Sequence, residues 1–236
     1  MNDHADHFPE AAVAEVTSPP NASPLIIFGG TFDPPHRGHA EIARHALAAA
    51  GPAAWVLLTP AARSPFKQTQ PIASDSDRIA MTRLLAAGEQ RMSVWTDEID
   101  RASDGAPSFM IDTVRRLHSV RPPAALRLLI GADQAAAFHR WREAPELLRL
   151  APPLIACRVD GGATREQLRA GFEASGAWTA DQAALLAAGV FECPLINISS
   201  TAVRAALATG QRQLAAELMP ENIAAYAAGV SAYARG

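Results

Sequence analysis

The chain has 236 residues, 49% hydrophobic and 19% charged, enough to bury one core of ordinary size without requiring a second domain. A net charge of -3 and a pI near 6.2 exclude a general attraction to polyphosphate backbones, so no nucleic-acid partner is expected and phosphate binding must be local. No apolar run approaches the roughly 20 residues that span a bilayer, and the N-terminus lacks the order of a signal peptide, so no membrane partner and a cytoplasmic location are expected. Cys157 and Cys193 each lie beside an apolar run, without metal-type spacing, and read as buried free thiols.

Residues 1–24 are rich in Ala, Pro, Asp, Glu and His without periodicity, which predicts a flexible extension outside a single domain of residues 25–236. Leu25-Ile26-Ile27-Phe28 then forms a short apolar run ending in Gly29-Gly30, as a buried parallel strand would. A helical pattern follows from about Gly38 to Ala50, with Gly51 as its stop. The alternation repeats: a strand at Trp55 to Leu58, a helix from Ser74 to Ala87, a strand from Ser93 to Ile99 and a helix from Ser108 to Val120. Leu126 to Ile130 is the next strand, and Gly131 opens a helical stretch that contains Trp141. Pro145 begins another helix, Leu154 to Cys157 is a strand, Thr164 to Ala174 is helical, and Val190 to Ile196 is the last strand before two or three Ala-rich helices.

Strands separated by helices of ten or more residues predict an α/β fold, an open, doubly wound parallel sheet, here with a C-terminal helical segment. Ligands of such sheets sit beyond the carboxyl ends of the strands, so the turns after Phe28, Leu58, Ile130, Cys157 and Ile196 are expected to ring one site. The first turn, Gly29-Gly30-Thr31-Phe32-Asp33-Pro34-Pro35-His36-Arg37-Gly38-His39, is the most informative stretch. Two glycines after a strand let the backbone approach a ligand, and Gly38 and His39 sit where a helix N-terminus attracts anions. His36 and His39, three apart across that start, can face one phosphate. The same residues could instead serve a tight turn and a solvated cap, or, with Asp33, a metal site that no further cluster completes.

Gly-Gly-Thr-Phe-Asp-Pro-Pro-His-Arg-Gly-His resembles the signature of the nucleotidyltransferase superfamily marked by a His-x-Gly-His tetrad, and its lead-in resembles the nicotinate-nucleotide adenylyltransferase family. A second stretch, Ile198-Ser199-Ser200-Thr201-Ala202-Val203-Arg204, is similar to that family's Ile-Ser-Ser-Thr-x-Ile-Arg, and a third, Gly131-Ala132-Asp133 followed by Trp141, resembles its Gly-x-Asp and tryptophan. Arg158 falls where the family often has an arginine. Two stretches depart from the pattern. Ser64-Pro65-Phe66-Lys67 stands where relatives read Pro-Pro-His-Lys, and Ser108-Phe109-Met110-Ile111-Asp112-Thr113 lacks the family's tyrosine hydroxyl and second threonine. Arg78 and Met81 also match a family helix pattern, without a role for Arg78.

The resemblance implies a Rossmann-like nucleotidyltransferase that joins the adenylyl group of ATP to nicotinate mononucleotide in NAD biosynthesis. Candidate catalytic residues are His36, His39 and Arg204. ATP is expected at Gly29, Gly30, Thr31, Phe32, Gly38, Gly131, Asp133, Arg158, Ile198, Ser199, Ser200 and Thr201, and the acceptor at Lys67, Ser108 and Trp141. Mg2+ would accompany ATP, held mainly by phosphate and water, with no protein metal ligand. Other acceptors (nicotinamide mononucleotide or phosphopantetheine), a non-catalytic nucleotide-binding regulator and a metallohydrolase using Asp33, His36 and His39 are the rival readings, and assembly into a homo-oligomer is left open.

Overall fold

The run Leu25 to Phe28 becomes β1 (Leu25–Gly30), near the centre of a six-stranded parallel sheet. The computed structural model describes residues 14–63, 70–102, 108–158, 163–194 and 197–234. On one side β1 pairs with β2 (Trp55–Pro60), with Leu25 opposite Trp55 and Gly30 opposite Pro60, and β2 pairs with β3 (Met92–Val94). On the other side β1 pairs with β4 (Leu126–Gly131), followed outward by β5 (Pro153–Arg158) and the edge strand β6 (Val190–Cys193). The order β3-β2-β1-β4-β5-β6 is that of an open, doubly wound sheet, and its direction of winding reverses between β1 and β4.

Alternate residues of each strand feed two separate cores. Leu25 and Ile27 belong to one face of the sheet, with Val114, Leu147 and Phe172, whereas Ile26 belongs to the other, with Ala43, Met81, Val203 and Ile223. Both faces are therefore apolar, which is why the strands read as continuous hydrophobic runs. The first core is covered by α4 (Met110–Val120), α5 (Ala132–Ala136), α6 (Ala144–Leu150), α7 (Arg165–Ala174) and α8 (Ala180–Ala188). The second is covered by α1 (Arg37–Ala50), α2 (Asp75–Ala87), α9 (Ser200–Ala208), α10 (Arg212–Leu218) and α11 (Glu221–Ala228), with a 3-10 turn at Ser231–Tyr233 after them. A four-residue α3 (Asp97–Asp100) follows β3.

Three sequence expectations are corrected. The strand expected from Ser93 to Ile99 lasts only to Val94, because Asp97 and Glu98, almost fully buried, open α3 and pair with Arg101, Arg116, Ser108 and Thr113. The last strand stops at Cys193 rather than at Ile196, which lies outside the described residues. Residues 14–24, expected to be a free extension, lie on the domain: the Trp95 indole donates to the Ala14 carbonyl at 3.0 Å, Arg121 reaches Ser18 Oγ and the Pro19 carbonyl, and Ala22 is buried. Helix α8 was not foreseen, although Thr179 caps it by accepting from the Gln182 amide.

Candidate active site

The turn after β1 sits at the carboxyl end of the sheet beside the switch point, and its shape is set by side chains from three other segments and main-chain amides from a fourth. Arg78, on α2 and fully buried, donates from Nη1 to the carbonyls of Thr31 and Ala61, both at 2.8 Å, tying the turn after β1 to the turn after β2. Asp33 accepts the amides of Ile72 at 2.7 Å and Ala73 at 3.1 Å, and the Tyr233 hydroxyl at 2.7 Å. From α9, Ser200 Oγ donates to the Pro34 carbonyl at 3.0 Å and Arg204 Nη1 to the Asp33 carbonyl at 2.6 Å. The two stretches singled out in the sequence thus touch, across separations of 166 and 171 residues.

Side chains pack closely over both glycines. A Cβ on Gly29 would meet Met110 Cε at 2.7 Å, and one on Gly30 would meet the Phe32 ring at 3.0 Å. Phe32 holds a left-handed backbone (φ 50°), which for a non-glycine residue costs on the order of 1 kcal/mol. Burial of its ring offsets that cost: it is 1% exposed, packs edge-on against Phe28 and lies tilted against His39 at 5.0 Å between centroids. Only the main chain of Phe32 is therefore placed to meet a ligand.

The His36 and His39 rings face each other at the start of α1, tilted by 36° with centroids 3.8 Å apart. The His36 amide donates to His39 Nδ1 at 3.1 Å. An accepting Nδ1 leaves the proton of the neutral ring on Nε2, which makes His39 a donor there. Burial lowers the His36 pKa from 6.5 to about 4, so that ring is neutral at pH 7. Its buried Nδ1 has no hydrogen-bond partner among the described residues, a costly state in a protein interior.

Around this centre the other expected residues take distinct places. Ser199 caps α9 by accepting the Ala202 amide, Thr201 Oγ1 accepts from Arg204 Nη2 at 3.2 Å, and Ile198 packs half-buried against the second core. Gly38 is buried in the first turn of α1. Gly131 ends β4, Asp133 is exposed in the first turn of α5, and Arg158 is the last residue of β5. Trp141 is half-buried, edge-on to Phe138 at 5.3 Å, and Arg142 lies over the Phe109 ring at 4.7 Å. The Ser108 hydroxyl, expected to face the acceptor, donates to Glu98 Oε2 at 2.9 Å and braces the start of α4 instead. Burial raises the pKa of Glu98, against the hydroxyls of Thr113 and Ser108, which stabilise its charge. Lys67 lies outside the described residues.

Asp33, Arg78, Glu98 and Tyr233 have roles that the sequence did not reveal. Asp33 stood inside the first motif and Arg78 in a matching helix pattern, but nothing local to Tyr233 marks a residue whose partner is 200 positions away. The Asp33 carboxylate already accepts three protein donors and His39 Nδ1 a fourth, so this set does not suit the metallohydrolase reading. Among the described residues no group of three or more His, Cys, Asp or Glu could hold a metal, and no helix is long and apolar enough to cross a membrane.

A doubly wound sheet with such a turn beside its switch point is the architecture of a nucleotide-binding enzyme. The cytidylyltransferase-like family matches residues 27–206. The probable nicotinate-nucleotide adenylyltransferase of Gloeobacter violaceus is 38% identical over 203 residues, 86% of this chain and 92% of that protein, and the one of Herpetosiphon aurantiacus is 34% identical, covering 88% and 96%. The chain belongs to the cytidylyltransferase-like family and, within it, to the nicotinate-nucleotide adenylyltransferases. In fold it resembles the Plasmodium falciparum nicotinic acid mononucleotide adenylyltransferase complexed with APC, with a TM-score of 0.62 at 13% identity, covering 91% of this chain and 98% of that one. The same parasite enzyme complexed with NaAD gives 0.59 at 13% identity over 86% and 94%.

Proposed function

We propose that this chain transfers the adenylyl group of ATP to nicotinate mononucleotide, forming nicotinate adenine dinucleotide and pyrophosphate in NAD biosynthesis. The observation that carries this reading is the contact of Ser200 and Arg204 with the turn that bears His36 and His39, which joins two anion-binding features into one site. An oxygen of the mononucleotide 5′-phosphate forms a bond to the α-phosphorus of ATP while the bond from that phosphorus to the bridging oxygen breaks, and the electron pair leaves with pyrophosphate. No protein nucleophile is needed, so the residues position the reactants and stabilise charge.

In this reading His39 donates from Nε2 to the reacting phosphate, and the neutral ring of His36 packs beside it at the same helix start. The amides at the start of α9, with Ser199, Ser200, Thr201 and Arg204, hold the β and γ phosphates. The main chain of Gly29, Gly30, Thr31 and Phe32, with Gly38, lines the triphosphate; Ile198, Gly131, Asp133 and Arg158 complete the ATP side, and Lys67 and Trp141 the acceptor side, with Ser108 acting only through the brace it gives the start of α4. Mg2+ would neutralise the leaving pyrophosphate, bound to phosphate oxygens and water, since the Asp33 carboxylate is already engaged by protein donors.

Nicotinate and nicotinamide differ by a carboxylate in place of an amide, and a site that offers only donors leaves one of them facing the amide NH₂. Such polar mismatches discriminate far more strongly than a missing methylene. The test is an acceptor panel with ATP, scored by product mass and by kcat/KM. The acid mononucleotide is expected to be preferred over the amide and over phosphopantetheine, and Trp141→Ala to raise KM for the acid while leaving KM for ATP near wild type. Equal use of acid and amide, or preference for another acceptor, overturns the assignment.

A further inference from the structure

Tyr233 is the last residue of the 3-10 turn at Ser231–Tyr233 and is 3% exposed, yet its hydroxyl leaves the apolar core to donate to Asp33 Oδ1 at 2.7 Å. Burial, then the adjoining carboxylate, pushes its phenol far above the ordinary tyrosine range, so it remains a donor. The same Oδ1 accepts the Ala73 amide and Oδ2 accepts the Ile72 amide, while the Asp33 main-chain carbonyl accepts Arg204. Asp33 is thus the knot between the first turn, the segment entering α2, the cation of α9 and the last turn of the C-terminal segment. Beside Tyr233 lies an open pocket of about 150 Å³, lined also by Ala206, Leu207, Gly210 and Val230. The hydroxyl is the directional contact between this segment and the Asp33 carboxylate.

We infer that Tyr233 is a positioning residue for adenylyl transfer, which through the Asp33 carboxylate holds the turn that carries His36 and anchors Arg204. The inference rests on the reaction proposed above. Removing the hydroxyl leaves Asp33 with two amide donors and lets the turn relax, so that Arg204 and the histidines spend less time aligned. A change in alignment lowers turnover without removing a substrate contact.

Tyr233→Phe removes one oxygen and keeps the ring. Its kcat is expected to fall about tenfold, as for a buried hydrogen bond to a charged group, with both KM values within about twofold of wild type. Tyr226→Phe is the matched control: its hydroxyl joins the same C-terminal segment to Asp77 Oδ1 at 3.0 Å without touching the turn, so its kcat is expected to be unchanged. Hydrogen exchange on the wild-type protein gives a measurement that needs no variant. Since coupling between sites is reciprocal, ATP bound at the turn should slow exchange of the amides of Val230 to Ala234 more than those of Ala224 to Ala228. Unchanged kcat in Tyr233→Phe, an equal loss in Tyr226→Phe, or no local protection by ATP overturns the inference. If the wild type forms no dinucleotide from ATP and nicotinate mononucleotide, the reaction itself falls and this inference with it.

Discussion

His36 and His39 share one helix start but differ in state: burial keeps His36 neutral, and its own amide orients the neighbouring ring of His39. If His39 donates from Nε2 to developing phosphate charge, His39→Ala should lower kcat by roughly 10² to 10³ with little change in unfolding, the loss typical of one preorganised donor. Steady-state turnover near wild type would remove His39 from the reaction. His36 also has a pH signature. The unfolded chain binds its proton near pH 6.5 and the folded chain only near pH 4, so between those values the unfolded state carries more protons and stability rises with pH. Its contribution is therefore flat above pH 6.5, lost as the pH falls towards 4, and on the order of 3 kcal/mol in full. Urea titrations at pH 7 and pH 4.5 should show a smaller acid-induced loss in His36→Asn than in the wild type; equal losses would mean that the ring is not held neutral.

At the scale of elements, two glycines make opposite demands. A Cβ on Gly189 would lie 1.9 Å from the Pro153 carbonyl oxygen, a backbone atom at the start of β5, while the Gly189 carbonyl accepts the Ile155 amide. Gly189→Ala must therefore part β6 from β5 and should cost more than about 3 kcal/mol, measured by denaturant unfolding. The Gly29 Cβ would meet only Met110 Cε, the mobile end of a side chain, so Gly29→Ala should cost below about 1.5 kcal/mol. The reverse ranking would contradict the packing described. Elements such as β1, β2 and β4 were legible because both faces of the sheet are covered and apolar residues run without interruption. The end of β3 was not, since Trp95 continues the apolar pattern and even donates its amide to the Leu58 carbonyl before the buried acids of α3 turn the chain. The first turn and the start of α9, which the structure brings into contact, were legible as candidate site segments from their motifs, but the struts Arg78, Asp33 and Tyr233 were not, because their partners are set by tertiary packing rather than by spacing.

For the whole molecule, the candidate site lies at the carboxyl ends of the strands, whereas the N-terminal segment is held at the strand entrances by residues 18–24 and, just past the end of β3, by the bond from Trp95 to Ala14. The Ser23 amide donates to the Ala53 carbonyl and the Leu25 amide to the Ala125 carbonyl, both at strand entrances, while Arg121 at the end of α4 holds Ser18 and Pro19. Deleting residues 1–22 would leave the indole N–H of fully buried Trp95 without the Ala14 carbonyl and would uncover the core beside Val16 and Ala22. An orphaned buried donor alone costs about 1–3 kcal/mol, and for a chain of this size each kcal/mol is worth roughly 2–4 °C in Tm. The truncated protein should therefore melt roughly 5–10 °C lower. Its kcat below the transition should stay close to wild type, because no contact described for residues 14–22 reaches the turn that bears His36 and His39. Scanning calorimetry and a turnover assay on the same preparation check both halves: an unchanged Tm would show that the docked segment adds no stability, and a fall in kcat at full folding would show that it reaches the site.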